Sequence, residues 1–507
     1  MAGKRSWLHA IPLHPLFFAA YPILALLSFN STELNFTAGL RSLLLSIVLA
    51  VILFLIFRLI YHDSKQSALV SSAVLILFYF YGHIYNLLIG ISIAGLHPFQ
   101  HLTLGPLWLV LAALIVWWVS RRPRHISTAT YGLNVMGLVL LILPVFQLTS
   151  FFVERKISDA NAENQPTTLS LKPGNQPPDI YYIILDGYGQ SDVLKSYGYD
   201  NSSFLNTLRE SGFFIADCAQ SNYAQTKLSL ASSLNFNYLD ALGDQFVSGS
   251  NDRTGLNALI HYSAVRKNLE KAGYKTIALA TGYPMTELTD ADYYLAPQPT
   301  WRRLNEFEVL LLKTTLAGSI ERGSIDVPDL TPEISRERTL FALEKLETIP
   351  HIPGPKFVFI HVVSPHPPYV FGPTGGPIAP AQEGVTRAEQ SAIYYRDQAM
   401  YISSRIMEIA PRIIANSTTP PVIVIQGDHG PTLPSQPRAR MGILNAYFLP
   451  GVDTNLYSTI TPVNTFRVIF NVYFGQDLEY LDDVSSYSTY RRPFNYRVIS
   501  NSCKTNE

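Results

Sequence analysis

The chain has 507 residues, room for two to four domains and a sizeable core. Its 38 Lys and Arg balance its 38 Asp and Glu, which excludes the basic surface of a nucleic-acid-binding protein. That balance is an average over two unlike parts, because the first 150 or so residues are overwhelmingly apolar and the rest reads as a soluble domain.

Five apolar segments are long enough to cross a bilayer, for which about 20 helical residues suffice. They run from about His9 to Leu27, Leu40 to Ile60, Ala68 to Ala94, Leu104 to Ser120 and Tyr131 to Phe152, so residues 1–152 read as a five-span membrane domain. Lys4, Arg5, Arg58, Lys65 and the run Arg121–His125 mark one side, while the joints between them carry no Lys or Arg; Arg41 is the mild exception. By the positive-inside rule the amino terminus is cytoplasmic and everything after Phe152 lies outside. The spans hold almost no charge, with His14 and His83 among the few polar residues, so a transport pathway has little support. Residues 153–178 are polar and rich in Pro, Asn and Thr, which reads as a linker.

From residue 179 to 507, short apolar runs alternate with helical patterns. DIYYIILDG, FFIADC, YKTIALATG, KFVFIHVVS, PVIVIQGD and NAYFLPG read as strands, several apolar throughout, as burial on both faces of a mostly parallel sheet requires. SFLNTLRESG, AVRKNLEKAG, SRERTLFALEKLETI and DQAMYISSRIMEIAPRII read as helices between them, giving an α/β domain. Cys218 and Cys503 both fall in this outer part, where a disulfide persists if they meet; the sequence leaves pairing open.

Two of the strands end in candidate ligands. The first closes on Asp186, and a late one closes on Asp428 and His429. In an α/β sheet both would lie at the carboxyl edge, where such sheets place their chemistry. Asp, His and Gly are also ordinary turn residues, so each stretch alone leaves both readings open. Between them, SNYAQTKLSLASSLN leads from a polar loop into a helix beginning near Thr226. A hydroxyl there sits among unpaired backbone N–H groups, which favours an alkoxide or a phosphate, although a threonine at a helix start is also a common cap.

The order of acid, helix-start hydroxyl and Asp-His-Gly resembles the alkaline phosphatase superfamily over roughly residues 178–475. The five-span anchor with an outer domain is similar to its lipoteichoic acid synthase, phosphoglycerol transferase and phosphoethanolamine transferase branch. TKLSLASS, from Thr226 to Ser233, is similar to the nucleophile helix of the phosphoethanolamine enzymes. The resemblance implies that Asp186, Thr226, Asp428 and His429 hold one divalent ion, Mn²⁺ or Zn²⁺, with Thr226 as nucleophile. Coordination lowers the pKa of a hydroxyl, and a cation draws charge from the phosphoryl group.

There are departures too. TKLSL lacks the Pro and Arg of a formylglycine-forming sulfatase, and no histidine follows His429, where two-metal members need one. Asp186 stands where the transferase branch usually has Glu. His366, in a Pro-rich turn after KFVFIHVVS, is placed to contact the phosphate or protonate a leaving alcohol, whereas His361 inside that strand reads as a core histidine. Arg438 and Arg440 read as solvated loop residues that could otherwise clasp a phosphate diester. The Tyr- and Arg-rich end from Ser485 suits either a bilayer interface or packing on the domain.

The resulting expectation is an inner-membrane enzyme with its catalytic domain outside the cytoplasm. It would move a phosphoalcohol group from a phospholipid, through phosphothreonine, to an envelope glycan, lipid or polymer. A sulfatase-like hydrolase and a non-catalytic glycan- or partner-binding module are the alternatives. The sequence does not name the head group, the acceptor or the oligomeric state.

Overall fold

The structure is a computed structural model describing residues 11–501 and 503, apart from 33–35, 93–98, 122–124, 165–168, 175, 299–303, 319–329, 432–435 and 452–455. Lys4, Arg5 and the centre of the Arg121–His125 run lie outside the described residues. The chain divides into two compact units: residues 1–153 with 300–331, and residues 154–299 with 332–507.

The first unit contains helices α1 (His14–Phe29), α2 (Leu40–Tyr61), α3 (Ser64–Leu88) and α4 (His101–Arg121) and the larger part of α5 (Ile126–Asn164). The last four are long and apolar enough to cross a membrane, and α1 is a shorter apolar helix of 16 residues. Polar groups inside this unit find partners within it: His14 Nδ1 lies 2.6 Å from Ser72 Oγ, and Tyr79 donates to Ser46 Oγ at 2.6 Å. That is what a chain surrounded by hydrocarbon requires, since no water is there to substitute.

Two differences from the expected boundaries are plain. Helix α5 does not end near Phe152 but continues to Asn164, through the first half of the stretch expected to be a linker. Between Phe152 and Pro166 there is no Pro or Gly, and Arg155 and Asp159 pair across one turn at 3.6 Å. The second difference is that residues 300–331 group with the membrane unit although the sequence around them belongs to the other. The helix Glu306–Thr314 explains this, because Phe307 and Leu311 are buried in the same cluster as Ile23, Leu75 and Tyr79.

The second unit holds strands β1 (Ile180–Leu185), β2 (Phe214–Ile215), β3 (Lys275–Leu279), β4 (Tyr293–Leu295), β5 (Lys356–Val362), β6 (Val422–Gln426) and β7 (Asn445–Phe448). They form a seven-stranded sheet in the order β2-β7-β6-β1-β5-β3-β4. The run from β6 to β4 is parallel throughout, and β7 is antiparallel to both its neighbours. Alternate residues enter opposite cores, as a period of two dictates: Ile180, Tyr182 and Ile184 face one cluster, Tyr181, Ile183 and Leu185 the other. Helices α6 (Thr226–Ser233) and α10 (Pro462–Phe474) cover the first face; α7 (Leu330–Thr348) and α8 (Arg387–Asn416) cover the second. Helix α9 (Pro437–Met441) lies between β6 and β7.

The Tyr- and Arg-rich end forms the hairpin β8 (Ser486–Thr489) and β9 (Arg492–Val498). It packs on its own domain, with Phe494 fully buried in the core and the Tyr496 ring 5.4 Å from that of Tyr223 at a tilt of 54°. Cys503, just beyond, forms a disulfide with Cys218.

Candidate active site

Strand order brings the candidate residues together. Strand β1 lies between β6 and β5, so three neighbouring parallel strands release Asp186, the Asp428–His429 pair and the His366 turn at one edge. Gly187, with φ of 75°, lets the chain turn immediately after Asp186. Tyr395 of α8 pins that turn, donating to Gly187 O at 2.9 Å and accepting from Gly189 N at 3.1 Å.

Both candidate carboxylates have one oxygen tethered and the other open. Asp428 Oδ1 accepts from Gly187 N at 3.0 Å, while its Oδ2 has no hydrogen-bond partner among the described residues. Asp186 Oδ2 faces His361 Nε2 at 3.2 Å, and its Oδ1 is likewise without a partner among them. His429 Nδ1 lies 2.8 Å from Gly430 O and donates to it, which leaves the Nε2 lone pair facing the two open oxygens. From Nε2 the distances are 3.3 Å to Asp428 Oδ2, 3.6 Å to Asp186 Oδ1 and 3.1 Å to Thr226 Oγ1.

Those spacings fit an ion. Four donors about 2.0–2.2 Å from a tetrahedral centre lie about 3.3–3.6 Å from one another. The Asp186, Asp428 and His429 atoms all fall within 4.8 Å of each other and all three residues are buried, so two unpaired carboxylate oxygens here are costly without a cation. Thr226 is the first residue of α6; the cap position belongs to Gln225, whose side chain caps nothing, so the threonine hydroxyl is spent on the site rather than on the helix end. Tyr182 OH on β1 holds α6 in register by reaching both Ser233 Oγ at 3.0 Å and Gln426 Oε1 at 2.7 Å.

His366 is half-buried at the same edge, its N–H donating to Asp186 O at 3.0 Å and its ring 6.3 Å from that of His429. Arg438 is exposed and pairs with Asp192 at 3.2 Å, as expected of a solvated arginine. Arg440 is different. It donates from Nε to Ala224 O at 2.8 Å and from Nη1 to Gly430 O at 2.9 Å, and its Nη2 reaches His429 Nε2 at 3.0 Å. Only the tertiary structure places it there: β6 and β7 are antiparallel neighbours, so the chain leaves and re-enters the sheet at one edge. Gly430 allows that tight return, since a Cβ there would stand 2.0 Å from Ala439 O.

His361 also departs from the expectation of a bland core residue. Its Nδ1 lies 3.1 Å from Thr286 Oγ1 and its Nε2 faces Asp186. Burial works against its charge, but the Asp186 carboxylate opposite prevails and raises its pKa. Burial likewise pushes Asp186 up, yet His366, His361 and His429 together hold it below the usual carboxylate range. His429 is held down at about 4, by burial first and Arg440 second, so it is a neutral donor at pH 7.

No protein-family model matches the chain, and no curated protein matches it. Solved structures of the alkaline phosphatase superfamily are among those it is similar to. The C-terminal periplasmic domain of EcEptC from Escherichia coli, in complex with Zn, is 13% identical with a TM-score of 0.43, covering 67% of this chain and 98% of that one. The integral membrane lipooligosaccharide phosphoethanolamine transferase A (EptA) from Neisseria meningitidis is 12% identical with a TM-score of 0.36, covering 92% of this chain and 95% of its own. An alkaline phosphatase superfamily protein from Vibrio parahaemolyticus is 11% identical with a TM-score of 0.38, covering 66% and 81%.

Proposed function

We propose that the protein is a membrane-anchored, metal-dependent phosphoalcohol transferase, working outside the cytoplasm through a phosphothreonine at Thr226. The observation that carries this reading is the convergence of Asp186 Oδ1 and Asp428 Oδ2, both without a partner among the described residues, with His429 Nε2 on a helix-start hydroxyl 3.1 Å from His429. Zn²⁺ or Mn²⁺ held by those three residues and Thr226 would lower the pKa of the hydroxyl and neutralise phosphoryl charge.

The chain's own residues divide the remaining work. Thr226 Oγ attacks phosphorus and the P–O bond to the lipid diacylglycerol breaks, leaving the phosphoalcohol on the threonine. His366 supplies a proton to the departing oxygen. In the second half an acceptor hydroxyl of an envelope glycan or lipid displaces the threonine oxygen, and His366 takes the proton back. Arg440 clamps the phosphoryl oxygens. Arg440, whose Nη2 lies 3.0 Å from His429 Nε2, would stand beside a metal held by His429 and supply positive charge toward the phosphoryl group. A guanidinium at this place supplies a second positive charge without a second ion.

The membrane unit keeps the catalytic unit at the surface where such lipids lie. On the sequence reading of five crossings with a cytoplasmic amino terminus, the second unit would lie outside, where the Cys218–Cys503 disulfide would persist. The deciding experiment is intact-mass analysis of the full chain in detergent, loaded with Zn²⁺ or Mn²⁺ and incubated with phosphatidylethanolamine or phosphatidylglycerol. An adduct on the wild type that is missing from Thr226→Ala supports the reading, and its mass identifies the group. A folded chain that retains no metal and forms no adduct favours a non-catalytic binding module.

A further inference from the structure

Gln225 holds the cap position of α6 and caps nothing, because its side-chain amide is spent elsewhere. Nε2 donates to Ser488 Oγ at 3.0 Å and to Thr489 O at 3.2 Å, both on strand β8 of the C-terminal hairpin. Oε1 accepts from Arg253 Nη2 at 3.1 Å. Arg253 is itself anchored on the hairpin: Nη2 also donates to Tyr490 O, and the guanidinium lies 3.9 Å from the centre of the Tyr490 ring. Both polar atoms of the amide therefore end on the hairpin, one directly and one through an arginine.

The loop before Thr226 is tied to the same element. Ser486 N donates to Asn222 O at 2.8 Å, Tyr223 and Ser486 form a parallel bridge, and Asn222 Nδ2 donates to Val484 O at 3.0 Å, so residues 222–225 run alongside 484–489. A second set of ties leads to the β6–β7 return, where Ser221 N donates to Met441 O at 2.7 Å and Ala224 O accepts from Arg440 Nε at 2.8 Å. At Gln225 the backbone is still extended, with φ of −135° and ψ of 138°, and helix begins at Thr226. The first N–H groups of a helix have no intrahelical partner, so nothing in the helix itself fixes this entry. The direction of the Thr226 hydroxyl depends on it.

We propose that Gln225 is a positioning residue for Thr226, with hairpin β8–β9 as the brace against which it aims the hydroxyl at Asp186, Asp428 and His429. The consequence for turnover rests on the transferase reading, whereas the placement of the hydroxyl rests on the ligand cluster alone. Gln225 is half-buried, so its substitution leaves the fold intact. Asn222 differs, being buried and holding Thr461 Oγ1 at 3.0 Å and Val463 N at 2.8 Å as well.

The test compares the full chain in detergent with Gln225→Met, which keeps the length of the side chain and removes both hydrogen-bonding atoms. Co²⁺ in place of Zn²⁺ has a visible spectrum set by the number and geometry of its ligands, and Thr226→Ala supplies the spectrum without the hydroxyl. Gln225→Met is expected to shift the wild-type spectrum toward that of Thr226→Ala. Per Zn²⁺-loaded chain, it slows adduct formation from phosphatidylethanolamine or phosphatidylglycerol about 10- to 10²-fold and leaves KM unchanged, as misplacement of a reacting group does. Arg253→Ala slows the same step less, and adding it to Gln225→Met slows it no further. Wild-type spectrum and rate in Gln225→Met overturn the proposal, and so does a loss that multiplies in full with that of Arg253→Ala. A Co²⁺ spectrum unchanged by Thr226→Ala also overturns it, since no hydroxyl is then held at the ion. If the wild type forms no adduct while Gln225→Met still shifts the spectrum, the transferase reading fails and the positioning role stands. If the wild type forms the adduct and Gln225→Met forms it equally fast with an unshifted spectrum, the positioning role alone fails.

Discussion

The two units use the same apolar residue types in opposite ways. In the membrane unit Leu59, Leu102 and Leu109 are 77%, 86% and 73% exposed, whereas every residue of β1, β5 and β6 in the other unit is buried. Hydrocarbon outside α2 and α4 would be costly in water and costs nothing in lipid, so the first unit turns its hydrophobic side outward and pairs His14 with Ser72 and Tyr79 with Ser46 inside. The second unit buries its apolar strands and, at one sheet edge, also buries Asp186, Asp428 and His429 together. The difference teaches that burial carries different information in each: a buried charge in the second unit points to chemistry, and an exposed leucine in the first points to solvent.

The largest effect belongs to the catalytic side of that contrast. On the proposed mechanism Thr226→Ala removes the nucleophile and is expected to abolish both adduct and turnover, while leaving a hydroxyl-independent helix start, because Gln225 already holds the cap position. Measuring the adduct by mass and transfer by radiolabelled lipid checks this. Arg440→Ala comes next, with transfer falling about 10²–10³-fold as expected for a lost anion-stabilising donor. Arg440→Lys recovers only part, since an ammonium cannot bridge Ala224, Gly430 and the site together. A steady-state comparison of the two variants is decisive.

A matched pair of substitutions probes the solvent contrast itself. Leu109→Arg costs about 3 kcal/mol of membrane insertion, whereas Val498→Lys, at a comparable 66% exposure on β9, changes stability by less than about 0.5 kcal/mol. Glycosylation-tag insertion assays read the first and thermal melting the second; equal effects would break the comparison.

A buried histidine away from the site gives a pH signature. His261 donates to Pro284 O at 2.8 Å, and burial lowers its pKa to about 4. Its folded pKa is below the unfolded value, so unfolding takes up a proton between those values and stability falls on acidification from pH 6.5 toward 4. The loss is on the order of 3 kcal/mol for this group. His261→Asn flattens that part of the stability profile, measured by denaturant unfolding. The smallest effect is expected of His361→Gln. It loosens Asp186 without removing a ligand, so metal affinity falls about 10–100-fold while the fold persists, as isothermal titration with Zn²⁺ would report.

Much of the catalytic unit was legible because its signals are local. The apolar runs of β1, β5 and β6 identify themselves, and Asp186 and Asp428–His429 directly follow two of them. Arg440 and His361 were misread for opposite reasons. An arginine in a Pro-rich loop usually points to water, but the β6–β7 return carries this one back to the sheet edge. A histidine in an apolar strand usually finds a neutral partner, but β5 lies beside β1 and so meets Asp186.

By itself, then, the sequence determined the apolar helices, the alternation of strand and helix, and the residues able to serve as ligands, since each depends on neighbours within a few positions. Tertiary structure decided the rest: that β1 lies between β5 and β6, that Cys218 meets Cys503 across 285 residues, that residues 300–331 return to the membrane unit, and that Arg41 pairs with Glu308. These pairings depend on which distant surfaces bury each other best, and periodicity within a segment carries no information about its partner.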